Sequence, residues 1–369
     1  MRRSRASRPA PRSLPSVLER LEDRRLLAGF STGGSTLSID LTTAGTLAVT
    51  TSGSGNYVFS LEGGDTFSGT DATGLTGNGL ATLTVTSALE LSQVSITNSA
   101  GTTAVRFADS SGSYADSFTV KLSGIAGLSG WVPSVKFVGK SAFADAASLT
   151  VTAPAIAVEA GDVSTAAGAL TLTGDTGSSF AGNYSGVTIT KASSVSTVGG
   201  ALTIVGRGGT GETGNQNGVD VGPGSRVQAG DAESAAVPLK ITGVGGASGG
   251  TGGNNNHGIV LESGSDVSAF GPLVLAGTGG PNKGANRGVV VSGRVSVSAP
   301  ATGTPPSLDI TGTGGGQSGT ADNHGVLIGN QATVSGEGPI VVTGTAGPST
   351  TLATSPYTTS SGIYLNSAH

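Results

Sequence analysis

The segment VSTAAGALTLTG at residues 163–174 returns as VSTVGGALTIVG at 195–206, an offset of 32 from Val163 to Val195. Fixed-period self-similarity is the mark of a stacked repeat. Aligned on Leu170, Leu202, Leu239, Leu273, Leu308 and Ile340, the chain repeats an apolar residue two positions on: Leu172, Ile204, Ile241, Leu275, Ile310 and Val342. Alternate residues of a strand share a face, so both columns point inward. Four positions after each start stands a glycine (174, 206, 243, 277, 312, 344). Such a column predicts a bend with positive φ, or one where a Cβ would strike the next layer.

A Gly/Ser/Thr-rich loop follows, and Gly186, Gly218, Gly258, Gly288, Gly325 and Gly362 announce a second strand. Its first and third residues are apolar in every copy, from Val187 and Ile189 to Ile363 and Leu365. A third strand is expected nine residues after that glycine, at Val195, Val227, Val267, Val297 and Val334. Three short strands with small-residue bends predict an all-β fold, a right-handed parallel β-helix or solenoid. About 32–37 residues make one coil, read from these offsets. Residues 147–369 carry the regular coils. Residues 29–146 have similar strands (LSIDL, TLTVT, FTVKL) in a less even period and hold Trp131, Pro133 and most Phe, as suits a cap. About ten coils would give a rod of about 50 Å at the strand spacing.

Composition fits many thin layers rather than one thick core: 64 Gly in 369 residues, 11% charged, 4% aromatic. The absence of cysteine excludes disulfides and thiolate metal sites. Eight Arg against three acids give residues 1–25 a charge of +5, which leaves −9 on the rest of a chain of net charge −4. An acidic body with scattered Lys is ill suited to a phosphate backbone, so nucleic acid is not expected as a partner. No apolar run is long enough for a transmembrane helix or a secretory core, and Arg2-Arg3 lacks the apolar stretch of a twin-arginine signal. After Pro15, however, Leu14, Val17, Leu18 and Leu21 share one side of a short amphipathic helix, expected within a basic targeting-like segment at 1–28.

Within that segment LERLEDRRLLAG, residues 18–29, resembles the LEPR-XLL type of N-terminal motif found on large repetitive surface or exported proteins, including those of planctomycete-type bacteria. Leu21, Glu22, Arg24, Leu26 and Leu27 match, and Asp23 stands where the motif has Pro. Residues 29–369 resemble, in repeat style and composition, the β-helical shafts of filamentous-haemagglutinin-like and autotransporter passenger proteins. The resemblance carries over no functional residue. It implies an exported, extracellular or cell-surface (outer membrane-associated) structural or adhesin-like protein that is not an enzyme. The last strand is followed by no polar cap before His369, so either the chain is a piece of a longer protein or the last coil is left exposed.

Two histidines invite a metal or catalytic reading: NNNHGIVL at 254–261 and DNHGVLI at 322–328. In register the position before the second-strand glycine reads Ser185, Asn217, His257, Arg287, His324, Ser361, so a guanidinium separates the two imidazoles. That is no zinc or copper site, and His257 is expected as a surface turn residue. One position earlier Asn256, Asn286 and Asn323 predict a structural ladder of carboxamides. Calcium is not expected either, because the GGxGxD nonapeptide is missing and GGTGE at 208–212 lacks the repeated Asp. No cofactor is implied.

The outward residue of the second strand reads Thr188, Asp220, Val260, Val290, Leu327, Tyr364. Its apolar half, Val260, Val290, Leu327 and Tyr364, is a candidate interface stripe for self-association, a surface ligand or a polysaccharide. A fold-over of the Gly-rich loops would explain it equally. The rival function is a polysaccharide lyase or hydrolase on the same scaffold. It needs acids and bases clustered across adjacent coils, whereas Asp220 and Asp309 stand alone in their columns, and Asp231, Glu233, Glu262 and Asp266 are expected at turns.

Overall fold

The computed structural model describes residues 26–369 apart from 44, 54, 100–102, 124–131, 175–180, 212–213, 248–254, 302, 318–321, 330, 349–359 and 367–369. The amphipathic helix expected after Pro15, Trp131, and the Glu212 end of GGTGE lie outside the described residues. Leu26 and Leu27, the last matched positions of the N-terminal motif, already belong to a strand, Leu26–Gly33.

The described chain is all-β, with parallel strands stacked in large sheets in a solenoid-like fold, and no helix occurs among the described residues. One face is a 12-stranded sheet. Leu170, Leu202, Leu239, Leu273, Leu308 and Ile340 follow one another in its register, as do the glycines at 174, 206, 243, 277, 312 and 344. The second face stacks Val187, Val219, Ile259, Val289, Val326 and Ile363. Inward Leu, Ile and Val of these columns are almost wholly buried through Val326. One period-2 pattern thus builds a continuous apolar interior from residues far apart in sequence.

Second and third faces grow out of shared strands. Ala155–Thr165 pairs through Ile156 with Val187 and through Asp162 with Ser194, turning the corner at Ala160, whose φ is 51°. The strand before it, Ser134–Phe143, breaks register between Phe137 and Gly139, where φ is 78°.

The third face corrects the even spacing expected for it. Its column runs Val195, Val227, Val267, Val295, Val334, and Val297 pairs instead with Ala269 and Gly336. Four residues, 262–265, turn the corner in one coil, but only Ser292 and Gly293 do so in the next. A Cβ on Gly293 would lie 2.3 Å from Ser265 Oγ and 2.6 Å from its carbonyl, so glycine permits the shorter turn. Coil length is accordingly broader than 32–37: from Leu170 onward register steps run from 28 residues (Asp266 to Arg294) to 40 (Val219 to Ile259), and the step before them, Leu149 to Leu170, is only 21.

The bend glycines also act differently from either expectation. None of the six has positive φ. A Cβ at Gly277 would meet the Gly288 carbonyl at 2.1 Å, and one at Gly312 the Gly325 carbonyl at 2.0 Å. The clash is with the second-strand glycine of the same coil, where the first two faces converge.

Regularity gives way at the N-terminal end. Leu26–Gly33 pairs antiparallel with Thr36–Leu41, and Asn56–Glu62 pairs antiparallel with Gly45–Gly53 and Thr82–Val85. Beneath them Phe107, Tyr114, Phe118, Phe137 and Phe143 interlock at ring separations of 4.7–6.0 Å. Hairpins and large rings close an end whose strand edge would otherwise stay open.

Candidate functional site

Strand register extends the outward column of the second face through ten rungs: Ala48, Arg106, Lys136, Ala157, Thr188, Asp220, Val260, Val290, Leu327 and Tyr364. Nine steps of about 4.8 Å make it about 43 Å long. It is charged at one end and apolar at the other. Arg106 pairs with Glu62 at 2.5 Å, and Glu159 holds both Lys136 (3.0 Å) and Lys191 (2.8 Å), which keeps its carboxyl below the usual range. Asp220 accepts from Asn217 Nδ2 at 3.1 Å; burial pushes its pKa up, and its Oδ1 has no partner. Of the candidate stripe, Val290 is 8% exposed, Val260 and Leu327 are half-buried, and Tyr364 is 41% exposed.

Two hydrogen-bond ladders border this column. In the first, the side-chain oxygen of each coil accepts from the backbone N–H of the coil before it: Asn256 Oδ1 from Gln216, Asn286 Oδ1 from Asn256, Asn323 Oδ1 from Asn286, each at 2.9 Å. Ser360 Oγ accepts from Asn323 N–H at 3.2 Å. The oxygens of Asn256, Asn286 and Asn323 thus bond to backbone N–H groups rather than to a neighbouring carboxamide. Their amino groups turn to local carbonyls, as Asn286 Nδ2 does to Asn282 O at 2.6 Å. All three asparagines are fully buried.

The second ladder runs through the next residue and points the opposite way. Ser185 Oγ accepts from Asn217 N–H (3.2 Å), Asn217 Oδ1 from His257 N–H (3.1 Å), His257 Nδ1 from Arg287 N–H (3.1 Å) and His324 Nδ1 from Ser361 N–H (3.1 Å). His257 is therefore not a surface turn residue. It is 8% exposed and His324 2%, because each imidazole serves as a backbone acceptor inside the stack. Nδ1 acceptance places the proton of the neutral ring on Nε2. Burial, then the charge of Arg287, hold His257 down to about 3 and lower His324 as well. No group of three or more His, Asp or Glu that would suit a metal occurs among the described residues.

Asp266 also departs from its expected turn. It opens the strand Asp266–Ala269, between Arg226 (Nε to Oδ2, 3.4 Å) and Arg294 (Nε to Oδ1, 4.0 Å) of adjacent coils. Asp309, by contrast, stands between Val274 and Val341. Asp231 sits in a turn, accepting from Glu233 and Ser234 N–H.

A second place was not visible in the regular repeats. Where the corner between second and third faces begins, Asp109, Lys140, Asp162 and Lys191 of four successive coils line a cleft of about 410 Å³. Asp109 Oδ1 accepts from Lys140 N–H at 2.9 Å. Only the register of the irregular strands brings these residues together, and no sequence spacing announces it. No family model, no curated protein and no solved structure matches the chain.

Proposed function

We propose that the chain is a non-enzymatic, exported or cell-surface structural protein of adhesin-like type, built as a right-handed parallel β-helix. Right-handed crossover is the strong rule for parallel strands joined within one sheet. The observation that carries the reading is the ten-rung outward column flanked by two hydrogen-bond ladders, whose Asn256, Asn286 and Asn323 are fully buried. Such a rod gains stability coil by coil and offers length and a long face rather than an enclosed cavity. The resemblance of residues 18–29 to an export-associated motif supports the location. No helix of the described residues is long and apolar enough to cross a membrane, so attachment would use another segment or partner. Brief protease treatment of intact cells tests this: digestion of the protein without lysis is expected, and complete protection until lysis would overturn it.

A specific observation favours a second reading, a polysaccharide-active enzyme. The corner cleft brings two carboxylates and two lysines of successive coils together, the grouping that general acid and base work requires. Turnover of acidic polysaccharides, abolished by Asp162→Asn, would establish it in place of the structural role.

A further inference from the structure

Arg287 interrupts the second ladder. Ser185, Asn217, His257 and His324 each offer an acceptor to the next coil, and a guanidinium has none. Its Nε is buried without a partner. It forms no ion pair among the described residues; Asp322, whose charge acts on it, lies 3.8 Å from His324 Nε2 instead. Two neutral imidazoles therefore flank a cation with no ion-pair partner among the described residues. Retaining an unpaired, partly buried charge is costly, which points to a use outside the chain.

Its surroundings indicate what that use is. Tyr364 lies parallel to His324, ring centroids 4.6 Å apart at 6°, and is 41% exposed. Val290 and Leu327 continue the column toward it. A planar guanidinium suits an oxyanion, while an aromatic face among aliphatic side chains suits the C–H face of a sugar ring, the usual mixture of apolar lining and few polar anchors. From Val260 to Tyr364 the column takes three steps between four rungs, about 14 Å, which fits an extended chain. Asp220 and the nearby Glu262 lie on the other side, so a densely charged polyanion would be repelled.

We propose that Arg287, with Leu327 and with Tyr364 backed by the buried His324 ring, forms a binding site for a saccharide chain carrying spaced oxyanion groups, carboxylate or sulfate ester. This rests on the surface-protein reading and names its ligand class. Affinity electrophoresis of the whole protein tests it, with hyaluronan as the carboxylate probe, κ-carrageenan as the sulfate probe and dextran as the neutral one. Retardation by one charged polymer but not by dextran is expected, with Arg287→Gln weakening it at least tenfold and Arg287→Lys less. Arg287→Asn supplies the control for folding. Its Oδ1 would offer His324 N–H the acceptor that Asn217 offers His257, so this variant should melt higher than the parent and still fail to bind. Equal retardation of parent and Arg287→Gln, equal retardation by dextran, or none by any polymer overturns the proposal. Surface exposure without binding fails this site alone, whereas Arg287-dependent binding by a protein that intact cells shield from protease fails the location alone.

Discussion

Every residue of NNHG at 255–258 and DNHG at 322–325 has a separate physical task. Asn255 and Asp322 take positive φ (65° and 61°), a conformation that short polar side chains tolerate best. The next Asn bonds back to the preceding coil, His bonds forward to the following one, and the glycine admits the neighbouring backbone. Asn286→Ala is expected to destabilise the protein by about 2 kcal/mol, because the buried Asn256 N–H and Asn282 carbonyl both lose their partner; equilibrium denaturation would show it. The histidines add pH dependence. Folded His257 is held at about 3, against about 6.5 when unfolded. Between those values the unfolded chain binds the extra proton, so stability is full above pH 6.5 and falls as pH drops toward 3, by up to about 1.4 kcal/mol per unit. His257→Asn keeps an acceptor for Arg287 N–H and removes the titration. Its loss of stability between pH 6.5 and 4 should be smaller than the parent's, and parallel melting-point profiles would contradict the assignment.

At the scale of the strand, the sequence pattern revealed the faces but not every register. The six bend glycines and both apolar columns could be read directly, since a period-2 pattern with one buried side marks which residues turn inward. Val295 and Val297 defeated the same logic. A two-residue slip leaves both valines facing the core, so alternation cannot tell which one pairs with Val267. Histidine burial was missed for a related reason: composition marks a turn as polar, but whether its side chains face water or the next coil depends on the stack. The N-terminal hairpins and the corner cleft were hidden because their strands pair across uneven separations. Glycine's role within an element is testable at a single position. Gly277→Ala should cost about 3 kcal/mol, since its Cβ would sit 2.1 Å from the Gly288 carbonyl and backbone cannot move aside without breaking two ladders. Gly33→Ala, with nothing within 4 Å, should change stability by no more than about 0.5 kcal/mol. Comparable losses for the two would refute the close-approach account.

Across the whole molecule, each coil touches only its neighbours, so stability should be local rather than uniform. The two ends of the described stack differ sharply. At the N-terminal end Tyr57 is fully buried, donating to Asp116 at 2.5 Å while accepting from Ala115 and Asp116 N–H at 3.2 and 3.1 Å. At the other end Ile340, Ile363 and Leu365 are 42%, 42% and 67% exposed although they occupy inward columns. A strand with a neighbour on one side only, and half of its apolar face in water, opens at little cost. Native-state hydrogen exchange should therefore show protection that is greatest in the strands between Leu170 and Thr313 and least in Ile340–Thr345 and Ile363–Leu365. Tyr57→Phe sharpens the test, because removing the hydroxyl strands the Asp116 carboxylate and two N–H groups at about 1–3 kcal/mol. In a nearest-neighbour stack that loss lowers protection around residues 49–143 and leaves the slow amides of Leu239–Val244 and Leu273–Thr278 unchanged. If those amides instead speed up in step with the N-terminal ones, the rod unfolds as a single cooperative unit and the coil-by-coil description fails.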